Sequence, residues 1–223
     1  MKKIIIAIDG PAGSGKTSSA KIVAESLGYT YIDTGAMYRA VSLAVIEKNI
    51  PVDEESVCPL LDQIHIELKP SEGGQITLLN GRDVSLDIRK PEVTTMVSPV
   101  SAMGCVRERM VAMQREMGAN GGVVMDGRDI GTVVFPQAQL KLYLVASIDS
   151  RANRRIKEMT EKGIEFNPEE IKNQILYRDN YDSTRAISPL CKANDAIEID
   201  TSDMTIPEQT ERMLALAKNI INS

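Results

Sequence analysis

The sequence predicts an α/β fold in which helices flank a central parallel sheet, with a small antiparallel insertion. Short apolar runs alternate with longer helical stretches, as in chains that build parallel sheets. The first run, residues 4–8, is almost uniformly apolar, which is typical of a strand covered on both faces. Residues 64–84 break this rhythm, because they alternate in polarity and contain the turn pairs Gly73-Gly74 and Asn80-Gly81. The length of 223 residues fits one folded unit with such an insertion.

Each predicted element has a local justification. Short apolar runs predict strands at residues 4–8, 29–32, 123–125, 140–145 and 196–199. Apolar residues spaced three and four apart predict helices at residues 16–27, 36–48, 91–118, 149–162, 168–182 and 207–221. Asp203 and Pro207 supply helix-opening chemistry around the start of the last helix.

Composition excludes several functional classes. Lys plus Arg total 26 against 31 Asp plus Glu, and a net charge of −5 argues against a nucleic-acid-binding protein. His65 is the one histidine, so the sequence lacks the residues for a multi-histidine metal site and offers a single candidate for Ser–His catalysis. No apolar run approaches the roughly 20 residues of a membrane-spanning helix. Cys58, Cys105 and Cys191 form no C-x-x-C pair, and no signal peptide is visible, so we expect a cytoplasmic protein without membrane contacts.

A phosphate-binding loop follows the first predicted strand. Residues 10–17 match G-x-x-x-x-G-K-[ST] at every fixed position, between a buried strand and a helix. Backbone N–H groups of such a loop surround phosphate oxygens, Lys16 reaches the β- and γ-phosphates, and the Thr17 hydroxyl completes a Mg²⁺ shell. The alternative is a glycine-rich turn with an incidental lysine. The residues expected to bind ATP are Gly10, Pro11, Ala12, Gly13, Ser14, Gly15, Lys16, Thr17 and Ser18.

Two further segments predict a second anionic ligand. Residues 33–39 follow the second strand and place Tyr38 and Arg39 on the first turn of a helix, where a plain helix cap with an exposed arginine is the alternative. Residues 125–131 end a buried strand, and ligands of open α/β sheets collect at the carboxyl ends of strands. There Asp126 is placed to orient Mg²⁺ through water, and Arg128 to hold a phosphate with two hydrogen bonds.

An arginine-rich arm spans residues 146–185. Arg178, Asp182 and Arg185 are spaced by four and three, so they share one helical face. A solvated ladder of ion pairs is the alternative, but phosphoryl transfer develops negative charge that arginines in a closing lid neutralise. Three more arginines precede this cluster, namely Arg151, Arg154 and Arg155.

Taken together, these motifs resemble the bacterial cytidylate kinase family of nucleoside monophosphate kinases. The resemblance covers essentially the whole chain, and its most specific stretches are D-T-G-A-M-Y-R at 33–39 and D-G-R-D-I-G-T-V-V-F-P at 126–136. It implies the P-loop nucleoside monophosphate kinase fold, a monomer, and the reaction of ATP with CMP or dCMP, using Mg²⁺, to give ADP and CDP or dCDP. It also implies a core at about 1–60, 86–148 and 187–223, a nucleoside-monophosphate-binding insertion at about 61–85, and a helical lid at about 149–186.

The resemblance also implies roles for individual residues. The acceptor phosphate is assigned to Arg39, Arg128 and Arg185, the sugar to Arg178 and Asp182, the base to Ser98, Arg107 and Asp129, and the lining of the acceptor site to Thr34 and Tyr38. The groups expected to act on the transferred phosphoryl are Lys16, Arg128, Arg154, Arg155 and Arg185.

The assignment of the base has its own physical sense. Cytosine carries an amino donor beside two ring acceptors, so the Asp129 carboxylate accepts from the amino group while Arg107 or Ser98 donates to the ring. Pro99 leaves an alternative for Ser98, as the N-cap of a helix, with Ser101 as a nearby substitute. Gly104-Cys105 replaces residues common in the family, and we expect it to loosen the approach to Arg107.

Two other functions compete with this prediction. A kinase of the same fold could phosphorylate another small acceptor, such as UMP, AMP or shikimate. A nucleotide-dependent switch could bind partners without making product, but no N-K-x-D guanine signature occurs in the sequence.

Overall fold

A computed structural model describes residues 3–71, 74–161, 163 and 165–222. Eight strands are present in these residues. They are β1 (Ile5–Asp9), β2 (Thr30–Asp33), β3 (Ile66–Ser71), β4 (Gly74–Leu79), β5 (Arg82–Asp83), β6 (Val123–Gly127), β7 (Leu140–Val145) and β8 (Ile197–Asp200). Five of them form a parallel sheet in the order β2-β6-β1-β7-β8, and the other three form an antiparallel sheet. The predicted α/β fold with an antiparallel insertion is therefore confirmed.

The helices of the described residues are α1 (Lys16–Leu27), α2 (Thr34–Glu47), α3 (Glu54–Leu60), α4 (Pro91–Ala102), α5 (Gly104–Gly118), α6 (Ile148–Glu161), α7 (Pro168–Thr184) and α8 (Ile206–Asn222). Side chains of β1 alternate between the two faces of the large sheet, so Ile6 and Ile8 pack in the cluster that includes α1 and α8, whereas Ala7 packs in a separate cluster on the other face. This alternation covers the sheet with helices on both sides. None of the described helices is long and apolar enough to cross a membrane.

The insertion has the predicted hairpin geometry where it is described. Asn80 and Gly81 both have positive φ, 52° and 78°, and Leu79 pairs with Arg82 across the turn. This is the two-residue turn that Asn-Gly favours, because its twist matches that of the strands. Of the other predicted turn, Gly73 lies outside the described residues.

Two predicted details of the helices are wrong, and the alternative that Ser98 caps a helix is excluded. The single helix expected at 91–118 is broken at Met103, whose ψ of 134° is extended. Helix α4 begins at Pro91 after Lys90, so Ser98 lies in the helix interior and does not cap it. Helix α2 begins at Thr34, which places Tyr38 and Arg39 beyond its first turn.

The short helix α3 was not predicted. Asp53 caps it, because its carboxylate accepts a hydrogen bond from the Ser56 N–H. Cys58 of α3 forms a disulfide with Cys105 of α5, across a sequence separation of 47 residues.

Candidate active site

The loop between β1 and α1 has the backbone that a phosphate-binding loop requires. Gly10, Gly13 and Gly15 have φ values of 143°, 79° and 89°, which glycine adopts readily. A Cβ on Gly10 would lie 2.1 Å from the Leu144 carbonyl oxygen, so the loop sits tightly against β7. The predicted loop residues 10–17 lie together here, and Ser18 is exposed on α1.

Lys16 is buried at the base of this loop. Its ammonium donates to the Pro11 carbonyl at 2.6 Å and to the Ser14 hydroxyl at 3.2 Å. Burial, followed by repulsion from Arg128, lowers the pKa of Lys16 to about 7. The positive charge of protonated Lys16 is therefore not fully stabilised by its neighbours, and a bound anion would stabilise it.

Two arginines of α6 hold the phosphate loop from the other side. Arg151 donates to the Ala12 carbonyl at 3.2 Å and pairs with Asp179 of α7 at 2.6 Å. Arg154 donates to the Gly13 carbonyl at 3.1 Å and to Thr201 after β8. Arg155 differs, because it is about half exposed and pairs with Glu158 on its own helix. The structure thus brings Arg151 and Arg154 to the loop and leaves Arg155 on the surface.

Oxygen groups meet at the end of β6. The Asp126 carboxylate accepts from the Thr17 hydroxyl at 2.9 Å and from the Tyr31 hydroxyl at 2.8 Å. Burial and the neighbouring Asp33 raise the pKa of Asp126. A carboxylate beside a hydroxyl is the hard-oxygen donor set that Mg²⁺ accepts when phosphates and water complete its shell. The described residues contain no group of three His, Cys, Asp or Glu able to hold a metal ion.

Asp33, at the end of β2, gathers two arginines. It caps α2 through the Ala36 N–H and accepts from Arg39 at 3.0 Å and Arg89 at 3.2 Å. Burial alone would raise its pKa, but the two arginines outweigh burial and hold the pKa below the usual value. Sequence reasoning missed Arg89, because it lies in a 3₁₀ turn far from every motif.

A second group of arginines surrounds Asp182. Arg128 donates to this carboxylate at 2.8 Å, and Arg178 approaches it to 3.9 Å, so the predicted shared helical face is confirmed for Arg178 and Asp182. Burial and Arg128 together lower the pKa of Arg178 to about 10. Arg185 follows the last residue of α7 and donates to the Ser188 carbonyl at 2.7 Å. Positive charge therefore exceeds negative charge around Asp182, as a phosphate site requires.

Arg107 and Asp129 form a buried ion pair. Their exposed fractions are 2% and 3%, and the Arg107 guanidinium lies 5.3 Å from the centre of the Tyr38 ring. Arg107 also donates to the Ser101 carbonyl at 3.1 Å. The Ser101 hydroxyl is engaged with the backbone, because it donates to the Ser98 carbonyl at 3.1 Å.

Several polar atoms around this pair are buried without a hydrogen-bond partner. They include Arg107 Nε and one terminal nitrogen of Arg185. Burial raises the pKa of Tyr38 to about 12, although Arg107 and a hydrogen bond to Gln114, a residue that sequence reasoning missed, act in the opposite direction. Buried polar atoms are normally satisfied, so unsatisfied ones that cluster in one place indicate a ligand site. Thr34 lies nearby and donates to the Asp126 carbonyl at 2.7 Å.

Asp9 is a buried carboxylate that the sequence did not single out. It accepts from the backbone N–H groups of Ile130 at 2.8 Å and Gly131 at 2.7 Å. Burial raises its pKa to about 6 despite these two hydrogen bonds. Asp9 thereby fixes the turn that follows Arg128 and Asp129.

Comparisons with known proteins agree with this geometry. The family model described as cytidylate kinase matches residues 6–219. A cytidylate kinase of Lactobacillus johnsonii is 52% identical over 91% of this chain and 89% of its own length. Cytidylate kinases of Anoxybacillus flavithermus and Bacillus cereus are 49% and 46% identical, with 97% and 98% of both chains covered. A solved structure of an uncharacterized protein from Eubacterium ventriosum covers 98% of this chain and 99% of its own with a TM-score of 0.52 at 15% identity, which supports the fold alone.

Proposed function

Because the chain belongs to the cytidylate kinase family, we propose that it transfers the γ-phosphoryl group of ATP to CMP or dCMP, giving ADP and CDP or dCDP. The observation that carries this proposal is the meeting of two cationic sites. Thr17 of the phosphate loop donates to Asp126 at 2.9 Å, and two residues later Arg128 donates to Asp182 of the second site at 2.8 Å. Burial lowers the pKa of Lys16 most, and both Arg128 and Arg178 of the second site add to this effect. Two anionic substrates bound to these sites would face each other, as phosphoryl transfer requires.

The donor side takes ATP with Mg²⁺. The loop 10–15 and the first residues of α1, through Ser18, surround the phosphates. Thr17 and Asp126 would hold Mg²⁺, Asp126 through water. The ion would supply charge neutralisation between the β- and γ-phosphates.

On the acceptor side, different arginines bind the phosphate and the sugar of CMP. Arg39, Arg128 and Arg185 hold the phosphate of CMP, while Arg178 and Asp182 contact the sugar, with Asp182 accepting hydrogen bonds from sugar hydroxyls. Burial of these groups strengthens each contact, because less water competes for the charges.

The base is read by the buried pair of Arg107 and Asp129. One oxygen of Asp129 binds Arg107, and the other makes no hydrogen bond among the described residues, which leaves it to accept from the cytosine amino group. Uracil places a carbonyl there instead, and the mismatch is worth about 1–3 kcal/mol. Ser98, Thr34 and Tyr38 line the same side of the site.

Transfer proceeds in line and needs no strong general base, because the attacking group is already a phosphate oxygen. Lys16, Arg128 and Arg185 neutralise the charge that develops, and Arg154 and Arg155 join them from the lid at about 149–186 when it closes over the substrates. The core comprises about 1–60, 86–148 and 187–223, and the insertion at about 61–85 belongs to the acceptor side. The enzyme works as a cytoplasmic monomer in pyrimidine nucleotide metabolism.

The direct test is ADP production from ATP and Mg²⁺ with CMP, dCMP, UMP and AMP offered separately. We expect strong turnover with CMP and dCMP only. Equal or better turnover with UMP would overturn the base assignment, and ATP hydrolysis that ignores every acceptor would favour the nucleotide switch.

A further inference from the structure

The first turn of α5 is tied to α3 by two bonds. Cys105, the second residue of α5, forms the disulfide with Cys58, and the Gly104 N–H donates to the Glu54 carboxylate at 2.7 Å. Met103 precedes the helix and provides no side-chain cap. Contacts from α3 therefore restrain the N-terminus of α5 in place of a side-chain cap.

This turn carries Arg107. The Arg107 N–H donates to the Met103 carbonyl at 3.0 Å, so the arginine closes the turn in which Cys105 lies. Its side chain extends to Asp129 and to the Ser101 carbonyl at the end of α4. Any freedom gained at Cys105 is therefore transmitted to the backbone of Arg107.

Both sulfur-bearing residues are only partly buried, so small thiol reagents can reach them. Disulfides in cytoplasmic proteins are usually reversible and redox-sensing rather than permanent. The third cysteine, Cys191, is exposed and free.

We propose that Cys58 and Cys105 form a reversible dithiol–disulfide site that controls how firmly Arg107 is held for base recognition. The oxidant is a low-molecular-weight disulfide. The two thiols lose two electrons and two protons as the Cys58–Cys105 bond forms, and the small disulfide takes them up to become two thiols. The proposal rests on the proposed role of Arg107 at the base, but the redox site itself does not.

The expected effect falls on the affinity for CMP. If reduction lowers the fraction of protein with Arg107 in position to about one fifth, the apparent KM for CMP rises about five-fold. The KM for ATP and kcat with saturating CMP stay unchanged, because the phosphate loop is not attached to α3 or to the first turn of α5.

The test uses full-length protein with Cys191→Ser, so that only one pair of thiols can react. Samples are equilibrated with oxidised glutathione or with dithiothreitol, and free thiols are counted after unfolding. We expect none in the first sample and two in the second. A count of two in both samples would overturn the proposal.

Kinetics and hydrogen exchange are then measured on both samples. We expect the five-fold rise in KM for CMP on reduction, and faster exchange of amides 104–107. Cys58→Ser and, independently, Cys105→Ser should show the reduced behaviour and no response to glutathione. Equal KM values for CMP in the two samples, or an equal change in the KM for ATP, would overturn the proposal. If neither sample phosphorylates CMP while amide exchange still follows the redox state, the proposed function fails and the redox site stands.

Discussion

The substitution Asp129→Asn tests most directly the proposal that Arg107 and Asp129 recognise the base. Asparagine keeps the size of the side chain but replaces one acceptor oxygen with an NH₂ donor. Because Arg107 can only donate, the asparagine must turn its carbonyl oxygen toward Arg107 and its NH₂ toward the base. An NH₂ group there clashes with the cytosine amino donor and suits the uracil carbonyl.

The magnitude follows from the burial of the pair, which is 2% and 3% exposed. Loss of a charge-assisted hydrogen bond to CMP is worth about 1.5–3 kcal/mol, and a new neutral one to UMP about 0.5–1.5 kcal/mol. The preference for CMP over UMP should therefore weaken by about 2–4.5 kcal/mol, so the ratio of their kcat/KM values should fall roughly 30- to 1,600-fold. Weakening the ion pair destabilises the fold by less than the about 3–5 kcal/mol of complete loss of one partner, because Asn retains an acceptor.

The assay measures kcat/KM for CMP and UMP at saturating ATP, with thermal unfolding as a check on the fold. Asp195→Asn is the matched control, since Asp195 is exposed and pairs with Lys141 instead of Arg107. The control should leave the ratio unchanged. A folded Asp129→Asn enzyme with the wild-type ratio would refute the base-reading role of Asp129.

Further predictions concern the phosphate loop, the buried carboxylate and the disulfide. Lys16→Met should abolish transfer and leave the fold intact, and near-normal turnover would contradict the loop assignment. Because the pKa of Lys16 is lowered to about 7, ATP binding at pH 8 should take up close to one proton, measured by calorimetry in buffers of different ionisation enthalpy, and this uptake should vanish in Lys16→Met. The pKa of Asp9 is about 6 in the folded protein and 3.8 in the unfolded chain. Its contribution to the free energy of unfolding is therefore fully present below pH 3.8 and is lost as the pH rises through 6. The unfolding free energy of wild type relative to Asp9→Asn should accordingly fall by up to about 3 kcal/mol between pH 4 and pH 8 in urea titrations, and a constant difference would contradict the raised pKa. The disulfide between Cys58 and Cys105 closes a loop of 47 residues, which Cys58→Ser would open. The free energy of unfolding should then fall by up to about 4 kcal/mol and the Tm by roughly 10 °C, measured by calorimetry without reductant. An equal Tm would show that the bond does not restrain the unfolded chain.

Local signals in the sequence were sufficient for much of this protein. The glycine spacing of residues 10–15 dictates a backbone that only glycine adopts easily, and Asn80-Gly81 dictates a tight turn for the same reason. The strands were identifiable because a parallel sheet buried on both faces needs short uninterrupted apolar runs. The predicted helix at 91–118 was wrong because the helical spacing of apolar residues continues through Met103. That spacing does not reveal that the backbone of one residue is extended.

Local sequence was sufficient to place the phosphate loop, to order the main strands and helices except for α3 and the break at Met103, and to show which charged residues were available for a second anion. The pairing of these charges becomes visible only in the folded protein, where Asp33 binds Arg89, Asp182 lies between Arg128 and Arg178, and Asp9 holds the turn after Asp129. The same holds for Cys58 and Cys105, which lie 47 residues apart. This difference arises because the two kinds of interaction act over different distances along the chain. Turn and helix preferences arise between neighbouring residues, whereas these pairs form only after the sheet has packed and excluded water.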